Sequence, residues 1–107
     1  MTLTELKKYI VDNNKVPYIL ECLGCHNIKY HENKNYVSAS NPDGDNKSAV
    51  VVYNNENLKC LNFTRNIGEN ADILTLIGFY LNKDFKQSLK YLHSILGTKP
   101  TYKKHKE

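Results

Sequence analysis

Long apolar runs are absent from this chain of 107 residues, and cysteine is scarce, at three. No run approaches the roughly 20 apolar residues of a membrane span. The opening MTLTELKKYI is amphipathic and lacks the apolar stretch of a signal peptide. The expectation is a cytoplasmic protein with no membrane partner. An odd number of cysteines argues against a disulfide framework. No G-x-S-x-G, P-loop or carboxylate pair is present, and His26, His31, His93 and His105 are scattered without a nucleophile. Nothing in the residues argues for catalysis or for a cofactor. No internal repeat is visible. Hydrophobic residues make up 40% and charged residues 24% of the chain, which fits one soluble domain with a modest core. The net charge of +4 and pI near 8.9 suit a polyanionic partner without identifying one.

Thr2 and Glu5 form a T-x-x-E capping box, and Leu3, Leu6, Ile10 and Val11 follow on one helical face, predicting a helix over 3–12. Pro17 opens and Gly24 stops a second, largely buried helix. The middle reads as β: strands over 27–31, 36–40, 49–53 and 58–64, with turns at 32–35, 41–47 and 54–57. In the last strand period two puts Lys59, Leu61, Phe63 and Arg65 on one face and Leu58, Cys60 and Asn62 on the other. Asn70 is placed to cap a third helix. Asp84, with Gln87, caps a fourth, whose expected buried stripe is Phe85, Leu89, Leu92 and Leu96 and whose stop is Gly97. The layout is α+β, a small antiparallel sheet of about four strands between N-terminal and C-terminal helices. It is expected to be a single domain over 1–97 with a charged tail or linker over 98–107.

Two clusters are candidates for metal. Cys22, Cys25 and His26, with His31 beyond them, have the C-x-x-C-H spacing of zinc ligands. The alternative is that Cys22 and Cys25 are core residues, and no second ligand pair completes a site. Asp43, Asp45 and Asn46 resemble part of a calcium loop, but the glycine is misplaced, and a turn held by Asx hydrogen bonds explains them.

The run from Tyr18 to Tyr80 resembles the N-terminal zinc-binding domain of bacterial-type DNA primases, in the divergent form found in phages and mobile elements. In that family a C-P-x-H knuckle precedes a hairpin that ends in a C-x-x-C knuckle. Asn41-Pro42-Asp43-Gly44 matches the first knuckle and Cys60-Leu61-Asn62-Phe63 the second, and 68–74 matches the turn and helix that follow. The match departs from the family at the ligands: Asn41, Gly44 and Phe63 stand at ligand positions, and only Cys60 remains. One thiolate cannot complete a tetrahedral site. The resemblance therefore implies a zinc-ribbon-like fold without bound metal. It also implies that Phe63 is core-facing, so that Phe63→Ala would cost about 3–5 kcal/mol.

Lys29, His31, Lys34, Tyr36, Lys47, Tyr53, Lys59 and Arg65 come from the strands or their turns. Cationic grooves and stacking rings are what single-stranded nucleic acid needs. With the resemblance, they imply a non-catalytic module that binds single-stranded DNA. A primase catalytic domain or a helicase would be its protein partner. The other reading is a small phage or mobile-element protein that uses the same fold to inhibit or regulate a protein. The KKHK run, 103–106, could add phosphate contacts.

Overall fold

A computed structural model describes residues 1–100. Among them are four α-helices and one four-stranded antiparallel sheet, an α+β fold. The KKHK run and most of the expected tail lie outside the described residues. Thr98 and Lys99 are tied to the domain: Thr98 Oγ1 lies 2.8 Å from His93 Nδ1, and the Met1 amine donates to the Lys99 carbonyl at 3.0 Å.

Helix α1, Leu3–Asp12, starts at the expected box: the Glu5 N–H donates to Thr2 Oγ1, and the Thr2 N–H to Glu5 Oε1. Such a cap contributes about 1 kcal/mol. Leu6 and Ile10, one turn apart, are fully buried. Helix α2, Val16–Cys22, has Pro17 in its first turn, where a missing N–H costs nothing. Gly24 ends it with φ +89°, and a Cβ there would meet the Pro42 ring at 3.5 Å.

Strands β1 (His26–His31), β2 (Tyr36–Ser40), β3 (Val50–Tyr53) and β4 (Cys60–Asn62) lie side by side in chain order. The β1–β2 connection is a 3₁₀ turn, Glu32–Lys34, closed by Asn35 in the left-handed region. Strand β4 is shorter than the 58–64 its alternation predicts, and side-chain turns at both ends explain why. Asn55 Oδ1 accepts the N–H groups of Asn57 and Leu58, and Leu58 turns to φ +48° with its side chain fully buried. Asn62 Oδ1 accepts the N–H groups of Thr64 and Arg65, which ends the strand.

Helix α3, Ile73–Leu81, is capped by Asp72, two residues later than expected, because Asp72 Oδ1 accepts the N–H groups of Leu74 and Thr75. Segment 71–72 is needed elsewhere: the Ala71 carbonyl accepts the Cys60 N–H and extends the sheet edge. Burial pushes the Asp72 carboxyl up, but Lys7 Nζ at 2.9 Å and the Thr75 N–H outweigh it and hold it below its ordinary value. That ion pair ties α1 to the start of α3. Helix α4, Phe85–Leu96, has the expected Asp84–Gln87 box. Its stripe differs from expectation: Leu92, Ser88 and His93 are buried, whereas Phe85 is 59% exposed. Phe85 sits in the first turn, beside Gly78 and Phe79 of α3 at the rim of a groove.

One core joins everything. Val37 and Ala39 of β2, Val50 and Val52 of β3 and Cys60 of β4 pack with Leu6, Ile10, Ile19, Leu20, Ile73, Leu76, Ile77 and Leu92. The alternate strand residues Tyr36, Val51, Tyr53 and Leu61 are outside that core. Among the described residues the helices thus cover one face of the sheet and leave the other uncovered by helix, with Ser38 and Val51 buried in its middle, as antiparallel sheets permit.

Candidate nucleic-acid interface

The register fixes what the open face carries. His31 pairs with Tyr36, Tyr36 with Tyr53, and the Tyr53 N–H donates to the Lys59 carbonyl. His31, Tyr36, Tyr53 and Lys59 therefore form one row across β1, β2, β3 and the residue just before β4. His31 and Tyr36 rings lie 4.4 Å apart, and Tyr36 and Tyr53 meet edge to face at 5.9 Å. The next row is Lys29, Ser38, Val51 and Leu61. Ser38 Oγ holds His31 Nε2 at 2.8 Å, which sets the imidazole against the Tyr36 ring. Lys29 and Lys59 are exposed at opposite edges of the face.

The structure brings Lys29, Tyr36, Tyr53 and Lys59 together. Lys34 lies in the 3₁₀ turn at the tyrosine end, held there because the Asn35 amide donates to the Asn54 carbonyl at 2.9 Å. Lys47 is exposed in the β2–β3 connection, at the other end of the sheet. Arg65 is not with them. The strand has ended at Asn62, and the Arg65 guanidinium pairs with Asp43 at 2.7 Å, beside Pro42 and Tyr80.

Phe63 is also not where the resemblance puts it. It is 67% exposed rather than core-facing. Asn62 turns its side chain inward and ends β4, and Phe63 follows it level with Ala49, its ring turned to solvent. Phe63→Ala should therefore change stability by no more than about 0.5 kcal/mol, as exposed substitutions usually do, and not by the cost of an emptied core.

A polar network takes the place expected of Phe63. Asn41 is 2% exposed. Its Oδ1 accepts from the Asn62 amide at 2.7 Å and from the Tyr80 hydroxyl, and its own amide donates to Thr64 Oγ1 at 2.7 Å. Asn41 also closes its own turn, its carbonyl accepting the Gly44 N–H at 3.0 Å. The turn at 41–44, the end of β4 and helix α3 are thus joined by one buried side chain. The sequence flagged Asn41 only as a missing ligand; Tyr80, hidden in an apolar helix, carried no signal.

Cys25 and Cys60 are buried close to this network. Burial pushes the Cys25 thiol up to about 11 despite the Tyr80 hydroxyl beside it, and burial drives Cys60 well above its ordinary value. In both, burial disfavours the thiolate. Cys22, Cys25 and His26 do not converge. Cys22 is half-buried, its carbonyl accepting from the Tyr91 hydroxyl, and His26 is exposed. Among the described residues no three His, Cys, Asp or Glu side chains gather to hold a metal ion. No helix of the described residues is long and apolar enough to cross a membrane.

The chain matches no protein-family model, no curated protein and no solved structure.

Proposed function

We propose that this domain is a non-catalytic module that binds single-stranded DNA across the open face of its sheet. The observation that carries the reading is the cross-strand row: two tyrosine rings packed edge to face, with cationic edges, on a face that no helix of the described residues covers. Bases stack on such rings at about 1–3 kcal/mol each, and lysines meet the phosphates. The primase resemblance supports template DNA as the strand, and a primase catalytic domain or helicase as the protein partner. In that reading the Asn41–Asn62–Tyr80 network does the bracing that zinc does in the family.

Salt separates this from other uses of a basic surface. Single-strand affinity should fall with salt with a slope of about −0.7 per phosphate contact. The double variant Lys29→Ala/Lys59→Ala should flatten the slope by about 1.4 and weaken binding similarly for every base sequence. Titration of labelled single strands at several salt concentrations measures both. Binding no tighter than that of an unrelated protein of equal charge counts against the proposal.

One observation favours a second reading, a protein-interaction module. Phe79 and Phe85, 44% and 59% exposed, flank a groove floored by Ile67 and Leu74 between α3 and α4. A partner seated there would bind with little dependence on salt.

A further inference from the structure

We infer that the open face holds its strand along β3, with Phe63 as a second stacking platform at the far end from the tyrosines. The inference rests on the single-strand reading above and adds a footprint and a direction to it. Phe63 is exposed, yet its backbone is fixed: its N–H donates to the Ala49 carbonyl at 2.7 Å. Among the described residues its ring stacks on no other aromatic. An ordered backbone that presents an unpaired ring is what a stacking site requires.

The register gives the spacing. Tyr53 marks one end of β3, and Phe63 lies level with Ala49, four residues away. At the strand rise this is about 13 Å. Stacked bases advance about 3.4 Å each, so a dinucleotide cannot reach both platforms while a longer strand can. Between the platforms lie Ser38 and Val51, 5% and 7% exposed, which are buried among their neighbours and offer no ring. Cations flank both ends: Lys59 and Lys34 by the tyrosines, Lys47 by Phe63. A strand lying across the sheet would meet only the tyrosine row. A strand along β3 meets both platforms, and the second contact becomes intramolecular once the first is made.

The test compares a thymidine dinucleotide with a hexanucleotide on the full chain and on Phe63→Ala, by NMR titration. Denaturant unfolding checks that the variant is folded, as an exposed site allows. For the unsubstituted chain the hexanucleotide should bind at least about tenfold tighter than the dinucleotide. Phe63→Ala should remove most of that gain and weaken dinucleotide binding by no more than about twofold, since the tyrosine platform remains. Equal hexanucleotide binding by both proteins, or equal weakening at both lengths, overturns the inference while the single-strand reading stands. If the unsubstituted chain binds neither ligand, the single-strand reading falls and takes this inference with it.

Discussion

Replacing Asn41 with alanine should destabilise the domain by about 2–4 kcal/mol, since each buried group left without a partner costs about 1–3 kcal/mol. The substitution strips a partner from the Asn62 amide, the Thr64 hydroxyl and the Tyr80 hydroxyl together. Thr64 is exposed and water replaces its partner, and the Asn62 amide keeps the Tyr80 hydroxyl at 3.4 Å, so the loss comes mainly from the Tyr80 donor and the bracing Asn41 supplied. Against a total stability of about 5–15 kcal/mol this is a large fraction. Tyr80→Phe removes a single donor and should cost about 1 kcal/mol. Urea unfolding of the two variants gives both numbers. If Asn41→Ala unfolds at the same urea concentration as the unsubstituted protein, the network is not what joins the 41–44 turn to β4 and α3.

Tyr36→Ala and Tyr53→Ala should each weaken single-strand binding by about 5- to 150-fold, the range of one lost base stack. The salt slope should hardly move, because no phosphate contact is lost. That pattern is the reverse of the one expected for the lysine pair. Tyr36→Phe and Tyr53→Phe keep the ring and should keep most of the affinity. Tyr36 leans on His31, so its removal also frees the imidazole, and Tyr53→Ala is the cleaner of the two. Titrations at two salt concentrations separate these outcomes. Phenylalanine variants that lose as much as the alanine variants would mean that the hydroxyls, not the ring faces, make the contact.

Most of the fold could be read from local chemistry. The Thr2–Glu5 and Asp84–Gln87 boxes, Pro17, Gly24 and Gly97 placed three helices closely, because each acts within a few residues. Strand β2 was legible for the same reason, its ends being set by polar turns. What failed depended on distant partners. Asn70 lost its capping role to Asp72 because Ala71 pairs with Cys60 across the sheet edge. Phe85 fits the apolar period of α4 but stands exposed at the rim of the groove between α3 and α4. Phe63 is the most instructive case. Alternation along β4 grouped it with Lys59 and Leu61, whereas the resemblance placed it in the core; the exposed ring sides with alternation. Arg65 shows where alternation stops, since it counts from a strand that Asn62 has already ended. The site was legible as a list of lysines and tyrosines. Its row became visible only with the register, which one-residue slips would have turned inside out.

The most direct test of the open face as the binding surface is an NMR map of the amide and ring signals that move when a single-stranded hexanucleotide is added. The expected result is that shifts concentrate on Lys29, His31, Tyr36, Ser38, Val51, Tyr53, Lys59 and Leu61 and spare α3 and α4. Shifts confined to Phe79, Phe85 and the lysines of α4, or no shifts at all, would contradict it.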